Sequence, residues 1–140
     1  MMPVKTMTLS FNTRGNGQIL KITAEVAQTV RESDLAAGIV TVFVPGATGA
    51  LTTIEYESGA ISDFQRLFDE IAAPDRHYAH NAAYGDGNGH SHVRAALLGP
   101  SLTIPFADGQ LLLGTWQEVI FVDFDNRPRS RAIIAQIMGE

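Results

Sequence analysis

Apolar and polar residues alternate along much of the chain, and the period of that alternation sets the expected elements. Over 4–12 (VKTMTLSFN), Met7, Leu9 and Phe11 share one face of an extended chain, Thr8 and Ser10 the other, and Val4 is out of step. That is the pattern of a half-buried strand. Arg14-Gly15-Asn16-Gly17 reads as a turn and 18–22 (QILKI) as a second strand, so a hairpin is expected. Thr23 is a candidate cap for a helix beginning at Ala24. Val26, Val30 and Leu35 form its stripe, and Gly38 is its stop. The run 39–44 (IVTVFV) is apolar and β-branched enough for a central strand, ended by Pro45-Gly46. Over 51–57 (LTTIEYE), Thr53, Glu55 and Glu57 share one face, opposite Thr52, Ile54 and Tyr56.

The period then changes. Ile61, Phe64, Leu67, Phe68 and Ile71 fall at helical spacing, with Ser62 and Asp63 in the first turn and Pro74 as the end. Residues 75–89 contain little that is apolar, which predicts a long loop. Strands are expected at 90–98, 101–106, 110–114, 117–125 and 130–138. Gly99-Pro100 breaks the series, Asp108-Gly109 signals a hairpin, and Asn126-Arg127-Pro128 forms a turn. Two helices and about eight strands predict an α+β fold, an antiparallel sheet covered by helices, within one domain spanning 1–140.

Composition narrows the function classes. The 140 residues suffice to bury a sizeable core. Cysteine is absent, which removes disulfides, thiolate metal sites and a cysteine nucleophile. A net charge of −5 argues against nucleic acid as a partner. The start shows no basic-then-apolar leader pattern, and no apolar stretch approaches the ~20 residues needed to cross a bilayer. A cytoplasmic location without a membrane partner is therefore expected. A hydrophobic content of 45% against 18% charge points to apolar surface buried between subunits.

Candidate chemistry concentrates in 84–103 (YGDGNGHSHVRAALLGPSLT). On a strand, His90, His92 and Arg94 would share one face. The two imidazoles would then be able to ligate one metal, with His80 swinging in from the preceding loop as a third ligand. The competing reading is a set of loop-end histidines on a solvated face; His77, in a more charged context, carries little weight. Asp86-Gly87-Asn88-Gly89 offers short oxygen-bearing side chains between permissive glycines, so its amides, with Arg94, would hold a phosphate or pyrophosphate. An ordinary turn uses the same residues. Glu55 and Glu57 are a candidate acid, base or ligand pair or a solvated face. Trp116 is a stacking surface or core. The 45–50 loop (PGATGA) leaves amides free at a strand end but lacks the lysine of a phosphate-binding P-loop.

The blocks TTIEYESG (52–59), GDGNGHSHVRAALLGPSLTIPF (85–106) and DGQLLLGTWQEVIFVDFD (108–125) resemble, in content and order, the YjbQ family of small trimeric proteins. The resemblance implies an α+β subunit in a homotrimer, with polar sites near subunit boundaries. It further implies a secondary thiamine-phosphate synthase activity, which joins a thiazole phosphate to a pyrimidine carried on pyrophosphate. In that reading a divalent metal (zinc, magnesium or manganese) sits on His80, His90 and His92. Glu55, Asp86 and Arg94 are catalytic, and Gly87, Asn88, Gly89 and Arg94 hold the phosphorylated substrate. His92, His80 and Glu55 match family motif positions. The family's usual histidine of the His-Thr motif falls at Gly46, a loss for which His90 is the expected compensation. The alternative function is a non-catalytic trimer that binds a metal or a small phospholigand.

Overall fold

The chain runs β1 (Val4–Thr13), β2 (Gln18–Lys21), α1 (Thr23–Ser33), β3 (Gly38–Phe43), β4 (Gly49–Glu55) and α2 (Ser58–Ile71). It continues through α3 (Ala79–Tyr84), α4 (Gly89–Leu98), β5 (Ser101–Ala107), β6 (Gln110–Leu111), β7 (Gln117–Asp123) and β8 (Arg129–Gly139). This is a computed structural model and describes residues 2–140. The expected α+β class with antiparallel pairing holds. The strands divide into two sheets, ordered β1-β8-β3-β5-β6 and β2-β7-β4, and every pair is antiparallel.

Two cores explain the layers. Val40 and Val42 of β3, Ile104 and Phe106 of β5, and Ile133, Ala135 and Ile137 of β8 face Val119 and Phe121 of β7, while Val26 and Val30 of α1 close one side. On the other face of the small sheet, Ile120 and Val122 of β7 meet Phe68 of α2, Ala95 of α4 and Phe124. Strand β7 is thus buried on both faces, which is why 119–122 is a continuous apolar run and not an alternation. Burying a residue such as Phe121 contributes about 2–3 kcal/mol from apolar area alone. Phe68 also stacks between Phe64 and Phe124, with ring centroids 4.9 Å from each. Among the described residues no helix lies over the outer face of the large sheet. Ile39, Phe43 and Met138 are 40–42% exposed there. With Ile134, Thr41 and Gln136 they line a shallow concavity of about 380 Å³.

Several local expectations change. β1 and β2 do not form a hairpin: β2 pairs with β7 in the other sheet. The turn crosses between sheets through three consecutive positive φ angles at Gly15, Asn16 and Gly17. Thr23 does not cap α1, because its hydroxyl accepts from Val119 N (2.8 Å) and donates to Glu118 (2.5 Å). That helix ends at Asp34 in the left-handed region. Gly38 is instead a strand residue, where an added Cβ would lie 2.1 Å from the Met138 carbonyl oxygen. α2 starts one turn earlier than expected, since the Glu57 carboxylate accepts from Gly59 N and Ala60 N at 2.8 and 2.5 Å. Ser62 and Asp63 therefore lie beyond its first turn. The expected 75–89 loop contains α3.

The largest correction is 90–98, which is helix, not strand. Its one β-branched residue is Val93, and Arg94-Ala95-Ala96-Leu97-Leu98 is a run of strong helix formers. Packing settles the matter, because Ala95 and Leu98 are apolar contacts of the second core.

Candidate functional site

The polar end of the molecule is built on two carboxylates. Asp123 and Asp125 are fully buried where β7 ends. Arg131 donates to both oxygens of Asp123, Nε to Oδ2 and Nη2 to Oδ1, each at 2.8 Å. Thr13 donates to Asp123 at 2.6 Å, and the Asp125 amide at 3.0 Å. Asp125 accepts from Arg129 Nε at 2.8 Å and Nη2 at 2.6 Å, from Thr48 at 3.2 Å and from Asn126 N at 2.8 Å. Burial would raise the Asp125 pKa. The hydrogen bonds from Arg129, Asn126 N and Asn88, with the Arg129 charge, outweigh it and hold the group at about 2. The arginines alternate on β8 and continue the inward row of Ile133, Ala135 and Ile137, so the strand period itself aims them at the carboxylates.

Over this base lies an open pocket of about 440 Å³. Its walls are the 46–48 loop after β3, α3, the start of α4, and Arg129 and Arg131 of β8. His80 of α3 and His92 of α4 face each other in it, ring centroids 4.4 Å apart, and the Tyr84 ring lies 5.0 Å from that of His80. His80 Nε2 is 3.1 Å from Asp86 Oδ1. The Asn88 amide bridges the layers: its nitrogen is 3.3 Å from Asp125 Oδ1 in one orientation and 2.9 Å from Asp86 Oδ1 in the other. His80, His92, Asp86 and Asn88 thus come together, as their sequence proximity suggested.

The remaining candidates separate from them. Residues two apart on a helix point about 200° apart, so His90 faces away from His92. It is buried, its Nδ1 lacks a partner among the described residues, and its ring lies 6.3 Å from Tyr78. Burial foremost, then the Arg94 charge, lowers its pKa against an opposing effect of Asp125. Arg94 is buried in another cavity, with Nε donating to the Ala72 carbonyl and Nη2 to Asp69, each at 3.0 Å. It closes the end of α2 and does not reach the histidines' pocket. Gly89 N is taken by Asn81 Oδ1 at 2.8 Å, and Gly87 is a positive-φ turn residue, so the 86–89 stretch is a structural turn as well as a wall. Glu55 is exposed at the end of β4 opposite Gln117, outside the pocket. Glu57 is spent on the α2 cap. Trp116 is 73% exposed and belongs to neither core. His77 is exposed outside α3.

The three-histidine metal set therefore does not assemble: His90 does not replace a ligand at Gly46. Among the described residues, no group of three or more His, Asp or Glu side chains is placed to hold a metal ion. The sequence reading passed over Asp123, Asp125, Arg129 and Arg131. Their signal was available: aspartates at alternate positions closing an apolar strand (VDFD), then arginines at alternate positions opening the next. Charges placed in the inward rows of two strands from facing sheets have to pair.

A two-sheet α+β domain with an imidazole pair above buried arginine–carboxylate pairs defines the class. The UPF0047 protein YjbQ-like family model matches residues 7–140, and the chain belongs to that family. A UPF0047 protein of Methanothermobacter thermautotrophicus is 36% identical over 99% of this chain and 95% of its own length. One from Archaeoglobus fulgidus is 34% identical over 94% of this chain and its entire length. Among solved structures, a YbjQ-like protein of unknown function from Sulfolobus solfataricus superposes with a TM-score of 0.94 at 32% identity, covering both chains completely. An uncharacterized YjbQ/UPF0047 protein of Clostridium acetobutylicum gives 0.86 at 32%, covering 94% and 98%. These findings correct the expected thiamine-phosphate synthase activity. The relatives carry only the family designation, and the Sulfolobus protein is described as of unknown function. The geometry agrees, because Arg94 and Glu55, two of that reading's three catalytic residues, lie outside the pocket. No helix among the described residues is long and apolar enough to cross a membrane.

Proposed function

We propose that the pocket between α3, α4 and β8 binds a small polar organic molecule and that His80 and His92 exchange protons with it. The observation that supports this reading is the imidazole pair itself: two rings 4.4 Å apart, from different helices, facing an open 440 Å³ space. Asp86 beside His80 Nε2 orients that ring, as a carboxylate does for an acid–base imidazole. The buried arginine–carboxylate pairs below make the floor rigid. The test is a thermal-shift screen of small sugars, amino acids, carboxylates and phosphates against the wild type, His80→Ala and His92→Ala. Ligands that stabilise the wild type and neither variant support the reading. Ligands indifferent to both substitutions sink it.

A divalent cation on the two imidazoles of His80 and His92, with solvent completing its coordination, is the second reading, favoured by their ring centroids lying 4.4 Å apart. Zinc and manganese titrations of the same three proteins separate it from the first.

We also infer that the chain assembles with copies of itself, as a homotrimer, through the outer face of the five-stranded sheet. Exposed Ile39, Phe43 and Met138 form an apolar patch that water does not favour, on a sheet face that no helix among the described residues covers.

A further inference from the structure

We propose that Arg131, left uncovered by Gly46, forms an oxyanion subsite in this pocket, taking the phosphate or carboxylate group of a ligand whose apolar part lies along Ala95, Ala96 and Pro100. The inference rests on the reading that the pocket binds a small molecule, and it names the class of that molecule.

The argument starts from the donors of one guanidinium. Arg131 Nε and Nη2 are committed to Asp123, and Nη2 also donates to Thr48 Oγ1 at 2.8 Å. Nη1 has no hydrogen-bond partner among the described residues. The side chain is nine-tenths buried and held from beneath by a fully buried carboxylate. The group therefore cannot swing out to find water freely, and its unused edge stays aimed one way. A guanidinium fixed in this manner loses little rotamer entropy when it binds an oxyanion.

Gly46 decides what that edge meets. A Cβ at position 46 would lie 3.3 Å from Arg131 Nη1. Any longer side chain aimed the same way would cover the nitrogen, and the backbone there has φ +145°, which disfavours side chains. Glycine leaves Nη1 and its two N–H donors open to the pocket. Asp123 sits on the opposite, buried side of the guanidinium, so a ligand meets donors first. Arg129, held by Asp125 and two residues away on the same face of β8, lines the same space and adds a second cation.

The rest of the ligand is indicated by a second recess of about 340 Å³. It shares Gly46, Ala47 and His92 with the polar pocket and is otherwise walled by Gly49, Ala95, Ala96 and Pro100. Small apolar walls continuous with an anion-binding edge fit an oxyanion carried on a ring or short chain better than a bare ion.

Arginine side-chain ¹⁵N–¹H spectra, together with histidine ring resonances, test this on titration with inorganic phosphate, acetate, phenyl phosphate and benzoate. Saturable shifts at Arg131 are expected, with the ring-bearing members binding more tightly than the bare ions. Whether phosphates or carboxylates bind better identifies the source of the oxyanion. Gly46→Ala, which covers Nη1, and Ala47→Glu, which places a carboxylate at an exposed position on the rim, are each expected to weaken binding by about tenfold or more. The second variant carries no backbone strain and keeps the test valid if the first folds poorly. Shifts that avoid Arg131, or binding unchanged in Ala47→Glu, overturn the proposal. Histidine ring shifts without Arg131 shifts leave the pocket reading standing and remove the subsite. Silence at both sets of resonances removes the subsite, and the thermal-shift screen with sugars and amino acids then decides the pocket reading.

Discussion

Replacing Asp125 by asparagine tests the base on which the pocket stands. The carboxylate is fully buried and held at about 2, against an ordinary value of 3.8. At about 1.4 kcal/mol per pH unit, that difference corresponds to about 2 kcal/mol of stability at neutral pH. The substitution also exchanges one acceptor oxygen for an NH₂ group. Oδ2 faces Arg129 and Thr48, and Oδ1 faces Asn126 N. Whichever way the amide turns, donors meet a donor, which costs about 1–3 kcal/mol more. The total expected loss is about 3–5 kcal/mol, the usual range for breaking a buried ion pair by removing one partner. The sign of the pH dependence follows from the lowered value. Above about pH 5 both folded and unfolded states carry the charge, and the contribution is fully present. As pH falls below 3.8 the unfolded chain takes up the proton first, so stability declines until the folded state is protonated near pH 2. Urea unfolding at fixed protein concentration, at pH 7 and in steps from 5 to 2, measures both effects. Asp125→Asn should be less stable at pH 7 and should lack about 2 kcal/mol of the wild-type decline between pH 5 and 2. Equal stability at pH 7, or parallel profiles over that acid window, would refute the reasoning.

Arg94→Met keeps the bulk of the side chain but leaves the Ala72 carbonyl unpaired, and urea unfolding should register a loss of about 1–3 kcal/mol. Asp69→Ala leaves the buried Arg94 guanidinium without its carboxylate partner and should cost about 1–3 kcal/mol as well. Phe43→Glu places a charge in the apolar outer face of the large sheet. It should reduce the molar mass seen by light scattering while circular dichroism stays unchanged. The His90 ring should titrate below 6.5 by NMR, because burial and then Arg94 disfavour its cation. The unfolded chain therefore binds that proton first as pH falls below 6.5, so the wild type should lose stability there and His90→Leu should not share that component.

The chain alone determined most of the strands, because a period of two is a direct consequence of one buried and one wet face. Met7, Leu9 and Phe11 face the first core as their alternation required. The strand at 117–125 was legible too, although its burial on both faces came from the tertiary structure. The α2 stripe and the Asp108-Gly109 turn were equally legible. So were the two histidines that meet, since His80 and His92 flank one turn. Which sheet β2 joins was not legible, because a Gly-rich turn permits a hairpin and a crossing alike, and only β7's free edge chooses. The helix at 89–98 was not legible either: a histidine, a valine and alanines satisfy both periods over so short a stretch, and contact with Phe68 and Phe124 through Ala95 selects one. That choice separated His90 and Arg94 from His92, because 100° per residue replaces 180°. It also moved the cationic side of the pocket to Arg129 and Arg131, 83 and 85 residues beyond the Gly46 that exposes one of them. Side chains so far apart in sequence are brought together by pairing of strands in two sheets, which local spacing does not encode.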